Sequence, residues 1–384
     1  MDITMKLPVK IDADNSVSVQ DAIDDMILKS GAAAKEINIT LDAGDMNYIS
    51  SAGLRVMLST KKRVADLTII NASPQVCDIF DVTGFNEFIS VNRRVEEIRI
   101  EGLKLIGRGA TAKVYKLDKD KVVKAFPKEV PYETVLKEQD RIKKAITLGI
   151  DTMISYGVVK TEEGYGAIYE LLDAKSIMEW IKEDPENTDA YIEKFVDFVK
   201  KNHEVDLSGV KVKSIKNSFY DKIDKVTDMG FFTVDEAMTA RQIVYSIPDK
   251  DTYVHGDCHI GNIMLSKHSN ELFFIDMPAL SKGNPIFDLA GMAWMSMAGN
   301  VLDDDKYEEL IGIDKNRLKM AWKKILSLYF ETEDKNIIDE LDRQYTTLEC
   351  LDLSMAETYA PGLFTRETLE WLKSEGLKAA KYEF

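Results

Sequence analysis

Along residues 1–98, short apolar runs alternate with stretches whose apolar residues recur every three or four positions. The runs INITL (37–41) and LTIIN (67–71) predict strands, while VQDAIDDMILKSG, ending at Gly31, and SAGLRVMLSTKKRVA (51–65) predict amphipathic helices. SPQVCDIFDVTG (73–84) predicts a helix capped by Ser73 and stopped by Gly84. With the strand-like opening ITMKLPVKI, the order is βαβαβα, which predicts a compact α/β domain over residues 1–98.

The pattern changes near residue 98, with no linker rich in proline or glycine to mark the boundary. RIEGLKLIGRGATAKVYKLDKDKVVKAF (99–126) reads as strand, glycine turn, strand, tight turn at 118–120 and a third strand holding Lys124. PYETVLKEQDRIKKAITLG (131–149) predicts an amphipathic helix begun by Pro131 and ended by Gly149. Farther on, IMLS (263–266), the turn KHSN and LFFID (272–276) predict a hairpin that returns Asp276 to the neighbourhood of Asn262. The segments 177–250 and 300–384 are helical in pattern and carry no readable motif.

Composition narrows the function classes. The chain of 384 residues is 45% hydrophobic and 30% charged, which suits two or three well-cored domains. A net charge of −16 argues against broad nucleic-acid binding, since most of this surface would repel a phosphate backbone. Cys77, Cys258 and Cys350 form no CxxC pair, so neither a disulfide framework nor a structural zinc site is expected. The opening has no signal-peptide core, and the apolar stretch LAGMAWMSMAG (289–299) is too short to span a bilayer, so no membrane association and a cytoplasmic location are expected.

The candidate chemistry lies after residue 98. Gly107 and Gly109 let backbone N–H groups approach a phosphate chain, a weak signal by itself because glycine turns join strands everywhere. Lys124 lies opposite Val123 in its strand and is placed to face that turn. Glu138 shares a helical stripe with Val135, Ile142 and Ala145, and an acidic group on an apolar face needs a partner; Lys124 is the natural one. The loop HGDCHIGN (255–262) admits three readings: a metal site using His255, Cys258 and His259, a plain turn before a strand, or a phosphotransfer loop. In the third, Asp257 accepts the proton of an attacking hydroxyl, and Asn262 and Asp276 offer oxygen ligands to a magnesium ion. The acidic stretch LDDDKYEEL (302–310) is expected to be a solvated helix face, with attraction of a polycation the less favoured reading.

Two resemblances follow from these motifs. LDAGDMNYISSAGLRVML resembles the STAS family of anti-sigma-factor antagonists, with Ala52 at the position where regulatory members carry a phosphorylatable residue and Ser50 where they carry an aspartate. The resemblance implies an interaction or docking module with a protein partner; Ser50 and Ser51 are expected as helix-capping groups, with phosphorylation of Ser51 the alternative. GRGATAKV, Lys124, Glu138, HGDCHIGN and FFIDMPALSKGNPIFDLA resemble the aminoglycoside phosphotransferase family, the small-molecule branch of the protein-kinase-like fold. This implies an α+β bilobal domain, with a nucleotide lobe at 99–172 and a catalytic and acceptor lobe at 173–384. It also implies ATP and Mg2+ as cofactors, without choosing between ATP and GTP, and a hydroxyl-bearing small-molecule acceptor. Asp257 is implied as catalytic base, Asn262 and Asp276 as magnesium ligands, Lys124 on the phosphates and Glu138 as its partner. His255 and Asp288 are implied as supports of the loop, Glu170 and Leu172 as hinge residues near the adenine, and His203 as a satisfied structural histidine. An alanine at 112 stands where a third glycine is common, and Asn284 where the family has an aspartate. The alternative function is a nucleotide-sensing signalling protein, or a protein kinase, acting through residues 1–98.

Overall fold

The computed structural model describes every residue except Gly109, Ala110, Thr111, Pro278, Ala279 and Glu383. It divides into two compact units, Met1–Ile98 and Arg99–Phe384.

In the first unit, strands Asp2–Lys6, Asn38–Asp42, Asp66–Ala72 and Ser90–Arg93 pair in that order, all parallel. Period-two alternation buries Ile39 and Leu41 on one strand and Leu67 and Ile69 on the next. The helices Ser16–Lys29, Ser51–Arg63 and Pro74–Val82 cover this core with Ile23, Met57 and Phe80. A short parallel ladder, Lys10–Ile11 on Tyr48–Ile49, delivers the chain to the second helix. There the Ser50 hydroxyl accepts hydrogen bonds from the N–H groups of Ala52 (3.2 Å) and Gly53 (3.4 Å), so Ser50 is the cap and Ser51 the first helical residue. Gly53 explains the SAGL signature sterically, because a Cβ there would stand 2.6 Å from Ile49 Cγ1 and 2.8 Å from Ile11 Cγ2. The fourth strand has no expectation behind it: SVNR is short and mostly exposed, and its place depends on pairing with Asp66–Ala72.

The second unit begins with an antiparallel sheet whose neighbours run Ser155–Thr161, Gly164–Glu170, Lys121–Ala125, Lys113–Lys116 and Lys104–Arg108. Helix Tyr132–Thr147 packs on it through Val135, Ile142 and Ala145, as the stripe predicts. The rest is mainly helical: Thr188–His203, Ile215–Asp228, Val234–Ser246, Ile286–Val301, Lys315–Tyr329, Lys335–Ser354 and Arg366–Gly376. Set among them are the hairpin Ile263–Ser266 with Leu272–Phe274, edged by Ala174–Ser176, and a second small sheet of Lys213–Ser214, Ser281–Gly283 and Thr252–Val254. One apolar cluster runs from Val122 and Tyr169 through Phe195, Tyr253 and Phe274 to Trp322 and Leu351. Helix Ile286–Val301 is apolar nearly all round because this core encloses it. No described helix is long and apolar enough to cross a membrane. The acidic run at 302–310 forms the short helix Asp304–Leu310, capped by Asp303 and largely exposed.

Candidate functional site

The loop 255–262 joins strand Thr252–Val254 to strand Ile263–Ser266, and a buried carboxylate holds its start. Asp288 accepts hydrogen bonds from the backbone N–H groups of His255 (2.8 Å) and Gly256 (2.7 Å) and pairs with His203 Nε2 at 3.0 Å. The other nitrogen of His203 meets the Tyr329 hydroxyl at 2.9 Å, so this histidine is fully partnered. Burial pushes the Asp288 carboxyl up, but the hydrogen bond and charge of His203 with those of the His255 region outweigh it, and the group lies below the ordinary aspartate range. His255 is fully enclosed and its ring lies 4.6 Å from that of Phe274. Its Nδ1 accepts the Asp257 N–H at 3.3 Å, and burial lowers its pKa against the opposing pull of Asp288, which keeps the ring neutral.

This support leaves Asp257 at the surface, with about half of its side chain exposed. The Asn262 amide nitrogen donates to the Asp257 carbonyl (3.0 Å) and to Oδ2 of its carboxylate (2.8 Å), which fixes one carboxylate oxygen and leaves Oδ1 facing outward, 3.7 Å from His259 Nε2. His259 Nδ1 is engaged by the Gly261 N–H at 3.0 Å, and Cys258 is buried, with a thiol pKa that burial pushes far up. Among the described residues, no group of three His, Cys, Asp or Glu side chains is placed to hold a metal, which removes the His255–Cys258–His259 reading.

The hairpin brings the second acidic residue to the same place. Ile263 pairs with Phe274, and the Ile275 N–H donates to the Asn262 carbonyl at 2.9 Å, so Asp276 follows directly beside Asn262. Asp276 adopts a left-handed backbone conformation (φ +50°), uncommon for a residue with a Cβ and tolerated best by Asp and Asn. Its carboxylate pairs with the Lys124 ammonium. Lys124 also meets Glu138 Oε1 at 3.2 Å, and that oxygen accepts the Tyr169 hydroxyl at 2.8 Å. Burial depresses the pKa of Lys124, but Asp276 and Glu138 together raise it above the ordinary lysine value, so the charge is held firmly.

The sequence pattern contained no sign of Tyr169 or of the direct Lys124–Asp276 contact. The ladder pairs Val122 with Tyr169 and Lys124 with Ala167, so all four face one side and Tyr169 reaches Lys124's partner diagonally. Only the register shows this. Gly107 lies beside an irregularity in the ladder of Lys104–Arg108 with Lys113–Lys116, and Gly109 lies outside the described residues. At the hinge, Glu170 is tied to Ile154 by its backbone N–H (3.0 Å) and its side-chain oxygen (2.6 Å). The Leu172 N–H has no hydrogen bond among the described residues. Asn284, in place of the family aspartate, accepts the Ile286 N–H on Oδ1 (3.2 Å) just ahead of helix Ile286–Val301.

Comparison with known proteins agrees with this architecture. The STAS domain model matches residues 2–98, and BtrV of Bordetella bronchiseptica, named as an anti-sigma factor antagonist, is 39% identical over 54 residues, which are 13% of this chain and 47% of that protein. The chain thus spans about half the length of that curated relative. Among solved structures, an ethanolamine kinase of Plasmodium vivax is 12% identical over 73% of this chain and 82% of its own (TM-score 0.47). An aminoglycoside phosphotransferase of Streptomyces rimosus is 16% identical over 63% and 90% (TM-score 0.43). The model of the phosphotransferase enzyme family, APH, matches residues 102–321. That match takes in more than half of the chain, which therefore belongs to the phosphotransferase enzyme family and carries a STAS domain ahead of the family's own.

Proposed function

We propose that the Arg99–Phe384 unit transfers the γ-phosphoryl group of a nucleoside triphosphate to a hydroxyl group of a small molecule. The observation that carries this reading is the linked set Glu138, Lys124 and Asp276 beside Asn262 and Asp257, a cation and four oxygen-bearing side chains from both lobes at one place. Asn262 spends its amide nitrogen on Asp257, and among the described residues its oxygen carries no hydrogen bond; the second oxygen of Asp276 is likewise free. Two hard oxygens suit magnesium, which keeps most of its coordination for phosphate and water. Bound by Asn262 and Asp276, it would supply charge neutralisation on the phosphates. Lys124, which Glu138 positions, would supply a second positive charge to the same phosphates.

Asp257 accepts the hydroxyl proton of the acceptor on its free Oδ1 while Asn262 holds Oδ2, so the carboxylate cannot rotate away. The acceptor oxygen then bonds to the γ-phosphorus, the bond from that phosphorus to the bridging oxygen breaks, and the nucleoside diphosphate leaves with that electron pair. The neutral His255 ring and Asp288 take no part in the transfer and keep the loop in shape. The free Leu172 N–H and the backbone at Glu170 offer hydrogen-bonding groups to a base, and Gly107 admits the phosphates. Residues 1–98 act as a docking module for a protein partner, with the Ser50 hydroxyl committed to its helix cap. Asp257→Asn tests the chemistry: with Mg-ATP or Mg-GTP and a panel of hydroxylated compounds, acceptor-stimulated nucleotide consumption falls about 10²–10⁴-fold while nucleotide binding persists. Stimulation that survives the substitution refutes the assignment.

A further inference from the structure

Only one of the two histidines in the loop 255–262 supports it from within. His255 is enclosed, whereas 33% of the His259 side chain is exposed. The Nδ1 of His259 accepts the Gly261 N–H at 3.0 Å. A backbone N–H can only donate, so Nδ1 carries no proton and the ring's own proton sits on Nε2. That Nε2–H is unspent: Asp257 Oδ1, 3.7 Å away, is beyond hydrogen-bond reach, and Nε2 has no hydrogen bond among the described residues. The ring is nevertheless held in place. A Cβ on Gly261 would stand 2.8 Å from His259 Cε1, 3.0 Å from its Nδ1 and 3.3 Å from Met178 Cε. Gly261 lacks the positive φ of Gly256 (+82°), so its backbone conformation makes no demand for glycine; the imidazole packed on it does.

The place of this donor defines what it meets. Asp257 Oδ1 is the oxygen left to take the acceptor's proton, across a hydrogen bond of about 2.7 Å. Once the new bond forms, the γ-phosphoryl oxygens are two bonds from the acceptor oxygen, so they come to lie beside Oδ1, where Nε2 already is. Charge on these oxygens must be stabilised during transfer, and a fixed N–H does so without reorganising. A role as a second base fails on the tautomer: Nε2 bears its proton already, and a proton on Nδ1 would face the Gly261 N–H. A role as a prop of the loop would need Nδ1 alone.

We propose that His259 is a catalytic residue whose Nε2–H donates to a non-bridging oxygen of the γ-phosphoryl group in transit. The acceptor oxygen bonds to phosphorus, its proton goes to Asp257, the nucleoside diphosphate leaves with the electron pair, and His259 neither gains nor loses a proton. The inference rests on the reading of Asp257 given above. Two variants of the full chain separate it from a prop of the loop. In His259→Asn the amide oxygen can stand where Nδ1 does and keep the Gly261 N–H, but nothing reaches the place of Nε2. In His259→Gln the amide nitrogen reaches that place and restores a donor. Turnover is followed as ADP release from Mg-ATP with the panel of hydroxylated compounds, and binding as Mg-ADP affinity by calorimetry, since ADP lacks the γ-phosphoryl group. His259→Asn lowers kcat about 10²–10³-fold with Mg-ADP affinity held within about threefold, and His259→Gln turns over at least about tenfold faster than His259→Asn. A prop of the loop predicts the reverse order. A loss of less than about tenfold in His259→Asn, a His259→Gln no faster than it, or Mg-ADP affinity lost in step with turnover in both variants overturns the assignment. Failure of the parent reading is separate and is seen in the wild-type chain as absent Mg-ADP binding, or as turnover that Asp257→Asn does not lower.

Discussion

Replacing Asp288 by asparagine keeps the volume of the side chain and removes the charge that three donors share. The amide oxygen can retain the Gly256 N–H, now bonded at 2.7 Å, but the amide nitrogen must then face the His255 N–H and His203 Nε2, the present partners of Oδ2 at 2.8 and 3.0 Å. His203 can recover a bond by changing tautomer, since its other nitrogen meets a hydroxyl; the His255 N–H cannot. Hydrogen bonds to a charged acceptor are worth about 1.5–3 kcal/mol each, and breaking a buried pair costs about 3–5 kcal/mol, so a loss of about 3 kcal/mol is expected. For a unit of this size the melting temperature falls by about 6–12 °C. Differential scanning calorimetry of the full chain measures it, with Asp304→Asn as control: Asp304 is exposed, pairs with Lys315 at 2.9 Å and should change stability by no more than about 0.5 kcal/mol. The Asp288 pKa is depressed by folding, so its contribution is complete above the unfolded value of about 4 and is lost as pH falls through the folded one. The gap between wild type and variant therefore narrows on acidification below about pH 4. A variant that melts within about 2 °C of the control at neutral pH refutes the view that this carboxylate holds the loop.

Three other outcomes follow from the same geometry. Lys124→Met removes the cation between Glu138 and Asp276 and should lower turnover about 10²–10³-fold, measured by steady-state kinetics; a rate near wild type would remove Lys124 from the site. Gly53→Ala forces a methyl group against Ile49 and Ile11 and should cost about 1–3 kcal/mol in the Met1–Ile98 unit, read by urea denaturation, and an unchanged midpoint would contradict the close approach. His255 has a pKa lowered by burial, so the unfolded chain binds more protons just below about pH 6.5 and stability drops as pH falls through that range. His255→Asn should flatten that part of a melting-temperature profile, whereas an unaltered slope would assign the protons elsewhere.

Much of this architecture was legible in the chain, because the physical rules involved are local. Alternation marked the strands around Ile39 and Leu67, and an acidic residue on the stripe of Val135 and Ile142 announced a buried partner for Glu138. Asp257 and Asn262 are five residues apart in one loop, so their contact required only that the loop close. The fourth strand, Ser90–Arg93, was invisible because its polar, mostly exposed residues carry no period, and a neighbouring strand supplies the reason for its conformation. The acidic stretch at 302–310, by contrast, forms the solvated helix face that its composition suggests. Its acids are exposed, and Asp303 caps it through the Lys306 N–H.

Sequence alone therefore determined the two-domain division, the order of elements and the residue types available for phosphoryl transfer, since each follows from patterns within about twenty neighbouring positions. Tertiary structure decided the rest. The Lys124–Asp276 pair joins residues 152 positions apart, and Tyr169 reaches Glu138 only in one strand register. Charge and burial act through distance in space, and no spacing along the chain reports that distance once it is set by how helices and sheets pack.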